Sequence, residues 1–269
     1  MKTFTLDTGS RLAAYDYLWR LAPDRWAWEY LRRNPAFRLD AATQSEGDVS
    51  ERMAACAPVR CLRSRTPQTL AHRWGLLMMP DPREDGFGAD VFWSPAAHPH
   101  QVEIHCAPRA PGETCDIFER TVPLCRITHY TDRQGREFLL LRGNGCAVQV
   151  RSRGLSLLGM EPVAMKLTLS DMSLYEKKLK VQRSARDLWG DDYTRQPPLW
   201  TKRTQILRDG LVALDSLELG LSQREIGAVL YGTEAAASDW AGMRDTVRYL
   251  IRRAERLRDG GYVRELLRG

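Results

Sequence analysis

The stretch Met243-Arg-Asp-Thr-Val-Arg-Tyr-Leu-Ile-Arg-Arg-Ala-Glu-Arg-Leu-Arg258 decides how the C-terminal third of this chain is read. Met243, Val247, Leu250, Ile251, Ala254 and Leu257 recur at helical spacing and form one apolar stripe. Arg244, Arg248, Arg252 and Arg256 sit four apart. At roughly 100° per residue they drift slowly around the opposite side. A helix that packs on one face and offers a rail of guanidinium groups on the other suits a polyanion such as DNA.

The flanking sequence builds a helical unit around this rod. Lys202 to Leu219 is helical by period, with Ile206 or Leu207, Leu211, Leu214 and Leu217 on one side, and Gly220 follows as a terminating glycine. In Leu221-Ser-Gln-Arg-Glu-Ile226, Ser222 and Glu225 form a capping box, and Leu221 can meet Ile226 across it. That helix should stop at Gly232, followed by a loop of small residues over Thr233 to Ser238. Ser238 or Asp239 caps the long helix, Asp259-Gly-Gly261 ends it, and Tyr262 to Leu267 makes a final short turn or helix.

A support helix, a short capped helix and a longer arginine-bearing helix follow the plan of a helix-turn-helix. Ser222, Gln223 and Arg224 then point a helix N-terminus at a phosphate. Arg244 and Arg248 are the candidates for guanine edges, because arginine can bond two acceptors there. Arg252, Arg253 and Arg256 lie further along and suit phosphates, with Lys202 and Arg203 at the start of the support helix. The gap from Leu230 to Asp239 is longer than a simple turn. The competing reading is a three-helix bundle with a solvated arginine face.

Upstream, Pro23 to Asn34 reads as a short amphipathic helix ended by Asn34-Pro35, with a polar link from about Asp40 to Gly47. From Trp74 to Arg153 the signals turn to strands: Asp90–Trp93, Gln101–Cys106, Leu124–Tyr130, Phe138–Arg142 and Cys146–Arg151, with Val163–Leu169 as a further one. Asp132-Arg-Gln-Gly135 and Gly143-Asn-Gly145 suit hairpins, and one antiparallel sheet is expected. Ser173-Leu-Tyr-Glu176 fits a capping box for a helix running to about Trp189, with Lys177, Lys178, Lys180, Arg183 and Arg186 as a solvated basic surface. The expected fold is α+β. It has an N-terminal helical segment (1–72), a central β-rich domain ending in a basic helix (73–189) and an all-α helix-turn-helix-variant domain (200–269).

Bulk properties set bounds. The chain has 269 residues, with hydrophobic content of 43%, charged content of 28% and a net charge of +6, which permits nucleic acid without proving it. No apolar run is long enough to span a bilayer and no secretory signal is evident, so a cytoplasmic protein with no membrane partner is expected. Cys56, Cys61, Cys106, Cys115, Cys125 and Cys146 show no C-x-x-C pair and read as free thiols.

Several elements carry a family resemblance. Leu207-Arg-Asp-Gly-Leu-Val-Ala-Leu-Asp215, Gly220-Leu-Ser-Gln-Arg-Glu-Ile-Gly227, Tyr231-Gly232, Trp240, and Arg252-Arg253 through Leu257-Arg-Asp-Gly-Gly-Tyr262 to Leu266-Leu267 resemble the RovC-like transcription factors. Trp26-Ala-Trp-Glu-Tyr-Leu-Arg-Arg-Asn-Pro-Ala-Phe37, with Arg73-Trp-Gly-Leu76 and Asp81-Pro82, is similar to a transcriptional-regulator-like segment found at the front of such proteins. The resemblance implies an altered helix-turn-helix with a lengthened connection. It also implies self-association as a homo-oligomer and kinship with activators of type VI secretion genes and regulators of conjugative-element transfer. Some relatives instead act as antiactivators that bind a partner protein.

Other constellations carry less. His98-Pro-His100, with His105 nearby, has the His-x-His spacing of metal-dependent nucleases, but Pro95 and Pro99 argue against a strand interior and for a surface loop. His129 and the cysteines of 106–125 show no zinc-finger spacing. The carboxylates of Asp81 to Asp90 read as solvating a loop, and Trp19, Trp26, Trp28 and Trp74 as packing residues. No phosphate loop, dinucleotide fingerprint or nucleophile elbow occurs. The expectation is a sequence-specific transcriptional regulator, an activator, whose partners are double-stranded DNA, its own copies, and RNA polymerase or a regulatory protein. Catalysis, a cofactor and a metal are not expected.

Overall fold

The computed structural model describes residues 12–43, 49–54, 58–115, 125–159, 161–169, 172–185 and 199–269. Helix α1 (Pro23–Leu31) opens on Pro23, whose missing N–H has no partner to lose in a first turn. It buries Trp26, Ala27, Trp28, Tyr30 and Leu31. Asn34-Pro35 closes it, and Pro35 at once opens α2 (Pro35–Thr43), where the sequence pattern predicts a link from Asp40. The Asn34 Oδ1 accepts the Phe37 N–H at 3.0 Å, so the residue that ends one helix caps the next. Residues 44–47 of the expected link lie outside the described residues.

Strands β1 (Val49–Met53) and β2 (Val59–Ser64) follow, then α3 (Thr69–Arg73). The sheet continues with β3 (Val102–Pro108), β4 (Arg126–Thr131), β5 (Glu137–Gly143), β6 (Cys146–Gly154) and β7 (Val163–Thr168). Its order is β1-β2-β4-β5-β6-β3-β7. The expected antiparallel sheet is therefore corrected to a mixed one, because β2 runs parallel to β4 and β3 parallel to β6. Alternation reports which face a side chain takes and is silent on strand direction. Where the connection is short, direction is legible: Asn144 (φ 50) and Gly145 (φ 71) make the left-handed two-residue turn that pairs β5 with β6. Asp132 to Gly135 joins β4 to β5 as expected.

Both faces of the sheet are covered. Phe138 and Leu140 join Tyr130, Leu62 and Phe92 on one side, while Leu139 and Leu141 join Val150, Ile104 and Ile127 on the other. The expected strand Asp90–Trp93 is not in the ladder; only an isolated bridge joins Leu76 to Trp93. The Gln149 side chain supplies what a neighbouring strand would. Its Oε1 accepts the Trp93 N–H and its Nε2 donates to the Trp93 carbonyl, both at 2.8 Å. Arg142 clamps the same loop through the carbonyls of Phe87, Gly88 and Ala89 and the carboxylate of Asp90. Asp90, also paired with Arg60, is thus a structural anchor and not a solvating group.

The sheet makes one testable demand. Gly154 has φ +88 where β6 meets β3, and an added Cβ would lie 2.2 Å from the Cys106 carbonyl oxygen. Gly154→Ala is expected to destabilise the protein by about 1–3 kcal/mol, read as a lower midpoint in urea unfolding. An unchanged midpoint would refute the strain.

Past a turn at Met172–Leu174, α4 (Tyr175–Ala185) rests against β3. The expected cap at Ser173 and the continuation through Arg186 to Trp189 lie outside what is described. The solvated basic surface expected here is corrected in part. Lys178 is buried beside Glu103, and the Lys177 Nζ donates to the Arg268 carbonyl at 2.8 Å.

Helix α5 (Lys202–Glu218) begins at a Thr201–Thr204 capping box and serves two cores. Leu207, Leu211 and Leu214 pack with α1, whereas Val212 and Ala213 face the helices that follow. Gly210 is required by that double contact: an added Cβ would lie 2.8 Å from the Tyr30 hydroxyl oxygen and 3.2 Å from the Ala254 Cβ. The two ends of the chain are therefore packed into one apolar cluster.

Candidate nucleic-acid interface

Helix α6 (Gln223–Tyr231) starts at the expected box, with the Glu225 carboxylate 2.7 Å from the Ser222 N–H and the Ser222 Oγ accepting the Glu225 N–H. Leu221 and Ile226 belong to one cluster, as a staple across the cap requires. Gly232 ends it with φ +98. The small residues expected to form a loop form a short helix, α7 (Thr233–Ser238), because Thr233-Glu-Ala-Ala-Ala is rich in good helix formers. Asp239 then caps α8 (Trp240–Arg256) by accepting the Gly242 N–H at 3.1 Å.

α8 buries Val247, Leu250, Ile251 and Ala254 against α5 and α6. Gly227 of α6 permits that approach, since an added Cβ would sit 2.9 Å from the Trp240 ring. Beyond Arg256 the chain turns through Asp259 and Gly260, which leave helical geometry, and Val263–Leu267 folds back as a last helical turn. Leu257, Tyr262, Leu266 and Leu267 from this end enter the cluster shared with α1.

The sequence-expected contact residues fall into two groups. Arg244, Arg248 and Arg252 are exposed, and so are Ser222, Gln223 and Arg224 at the start of α6. The two helices meet through the Arg248 Nε, which donates to the Gln223 Oε1 at 3.2 Å. Among the described residues, Arg224 and Arg252 make no hydrogen bond or ion pair. Asp245 lies 3.7 Å from both Arg244 and Arg248, too loosely to neutralise exposed guanidinium groups. The Ser222 Oγ is engaged with Glu225, which leaves the backbone of Gln223 and Arg224 as the anion-facing part of that terminus.

The second group gathers on Glu265. Arg253 and Arg256 each approach its carboxylate at 3.3 Å, and Arg203 donates to its carbonyl at 3.2 Å. Arg253 is half-buried, with its Nη1 on the Tyr249 hydroxyl, while Arg256 and Lys202 remain exposed. Sequence reasoning overlooked Tyr249. It is 47% exposed among these arginines, and its position outside the apolar stripe of α8 was the available signal.

The rival histidine site is not assembled. His98 and His100 are buried, where a surface loop is expected. Their ring nitrogens lie 3.2 and 3.4 Å from the Leu267 and Arg268 carbonyls, so they tie the chain's end to the 95–101 loop. Burial lowers the pKa of both imidazoles. Among the described residues no cluster of metal-ligating side chains occurs. Cys106 and Cys125 are buried free thiols, and Cys56 lies outside the described residues. Trp26 and Trp28 are core residues and Trp74 packs against them. No described helix is long and apolar enough to cross a membrane.

Two family models match the chain. Residues 168–268 match the family model described as a T6SS transcription factor DNA-binding domain (RovC). That match begins at the end of β7 and so takes in α4 as well as α5 to α8. Residues 10–77 match a proteobacterial transcriptional regulator-like domain. No curated protein matches the chain. At its two ends the chain is thus similar to two families of transcriptional regulators, over residues 10–77 to the regulator-like domain and over residues 168–268 to the RovC DNA-binding domain.

Proposed function

We propose that this protein is a sequence-specific transcriptional activator, with no catalytic activity, that acts in the cytoplasm as a homo-oligomer on secretion-system or mobile-element genes. The observation that supports this reading most is the exposed row Arg244, Arg248 and Arg252 on α8, set beside the N-terminus of α6 within a matched DNA-binding domain. α8 enters the major groove, its early arginines read base edges, and α6 meets a phosphate. The inserted α7 is the lengthened connection that makes the motif a helix-turn-helix variant. Two copies set the half-site spacing, and the sheet and N-terminal helices meet other subunits or RNA polymerase.

The test is selection of genomic fragments on the full chain at moderate salt, followed by sequencing. One enriched motif is expected, and a retained pool no different from the input would refute the reading. A companion result concerns Glu265, the carboxylate between Arg253 and Arg256. Glu265→Gln releases both arginines from an ion pair, so affinity for unrelated duplexes should rise a few-fold in fluorescence anisotropy. Weaker or unchanged binding would show that these arginines do not face DNA.

A further inference from the structure

On α8, Tyr249 stands apart from the arginines that helical spacing picks out. It is 47% exposed and joins none of the apolar clusters of the described residues, so core packing gives no reason for a tyrosine there. At roughly 100° per residue it falls between Arg252 and Arg253, one turn before them, and nearly in line with Arg256 a further turn on. Arg252 and Arg256 are both exposed. The ring therefore lies at the margin of a cationic face, on the flank away from Arg244.

A second observation concerns the hydroxyl. Its oxygen accepts the Arg253 Nη1–H at 3.2 Å. Among the described residues that is its one hydrogen bond, so its own hydrogen meets no acceptor. A cationic donor on the oxygen draws electron density from it and makes the O–H a stronger donor in turn. Arg253 is itself restrained: its side chain is 26% exposed, and its Nη2 lies 3.3 Å from the Glu265 carboxylate. The hydroxyl is thus held in place, with its hydrogen left for an acceptor outside the chain.

We propose that the Tyr249 hydroxyl donates a hydrogen bond to a phosphodiester oxygen of bound duplex DNA, and so marks where the backbone passes the second half of α8. An anionic acceptor suits this position because Arg252 and Arg256 flank it, and tyrosine hydroxyls bond phosphate oxygens directly. The inference rests on the reading of α8 as the DNA-facing helix. It adds a contact whose signature differs from that of every arginine on the helix. A guanidinium that meets a phosphate releases counterions and contributes about one to the salt slope, whereas a neutral hydroxyl releases none. A phosphate contact also carries no sequence information.

The test is fluorescence anisotropy of the full chain on its selected motif and on an unrelated duplex, across a range of salt. Tyr249→Phe should weaken binding to both by about tenfold, the scale of one hydrogen bond to a charged acceptor, with the salt slope unchanged. Tyr249 is exposed and phenylalanine keeps the ring, so an unchanged thermal midpoint is expected. In an Arg253→Met background, where the polarising donor is gone, the same change should cost several-fold less. A loss confined to the motif would make Tyr249 a base reader, and a salt slope lowered by about one would assign the loss to a displaced arginine. Either result overturns the proposal. A wild type that binds neither duplex overturns the reading of α8 itself. A wild type that binds both, with affinity unchanged in Tyr249→Phe, overturns this inference alone.

Discussion

Arg33→Ala is expected to cost about 3–5 kcal/mol of folding free energy, the range for removing one member of a buried charge cluster. Arg33 is 8% exposed and uses its whole fork. Its Nε and Nη2 hold the two carboxylate oxygens of Asp215 at 2.6 and 2.9 Å, and its Nη1 meets the Glu29 carboxylate and carbonyl at 2.7 Å. Asp215 also accepts the Tyr15 hydroxyl at 2.5 Å, and Glu29 accepts the Gly86 N–H at 2.6 Å. The cluster thus joins α1 to α5 and to the loop that covers the sheet. Alanine would leave Glu29, whose side chain is 0% exposed, with one fewer counter-charge. Against a total stability of roughly 5–15 kcal/mol, such a loss approaches unfolding at moderate temperature. Arg33→Lys should recover only part of it, because an ammonium cannot reproduce two parallel bonds to Asp215. Urea unfolding measures both variants, and a loss below about 1 kcal/mol for alanine would disprove the role, since that is the scale of an exposed pair.

The same cluster sets an acid limit. Burial pushes the Glu29 carboxyl up, but the Arg33 and Arg32 guanidinium groups overcome it and hold it below its ordinary 4.5. At Asp215 burial is likewise overcome, by hydrogen bonds from Arg33 and Tyr15 and by the charge on Arg33, so its carboxyl lies below the ordinary 3.8. A carboxylate depressed in the folded state binds fewer protons there than in the unfolded chain. Its contribution is complete above the unfolded values and is lost as pH falls below them. Wild-type stability should therefore decline below about pH 4, and Arg33→Ala should flatten that decline.

Local sequence carried most of the C-terminal reading. The Ser222–Glu225 box, the stripe through Val247, Leu250 and Ile251, and the exposed Arg244, Arg248 and Arg252 depend on spacing within one or two turns. The family resemblance, carried by local motifs such as Gly220–Gly227 and Trp26–Phe37, holds at both ends of the chain. What escaped was non-local. Nothing near Gln149 announces that its side chain stands in for a strand beside Trp93, and nothing near His98 announces the carbonyl of Leu267. Parallel pairing of β2 with β4 depends on a path through more than sixty intervening residues, which strand alternation does not encode. Arg253 and Arg256 were read correctly as helical, yet Glu265 reaches them only because the chain folds back past Gly260.

The proposed interface is tested most sharply by contrasting two arginines of one helix. Arg248 stands on the first half of α8, braced by Gln223, and Arg256 lies two turns on, held by Glu265. If the first half of α8 reads bases, Arg248→Ala should weaken binding to the selected motif by about 1–3 kcal/mol and weaken unrelated DNA less, so discrimination falls. Arg256→Ala should weaken all sequences alike and lower the slope of log affinity against log salt by about one, the signature of a lost phosphate contact. Gln223→Ala, which removes the brace and no charge, should reduce discrimination with an unchanged salt slope. Equal affinity of wild type and Arg248→Ala for the motif would refute base reading by this helix. A loss shared equally by motif and unrelated DNA would move Arg248 among the phosphate contacts. In that case the specificity of this protein would have to reside in the deformability of its operator and not in the edges of its bases.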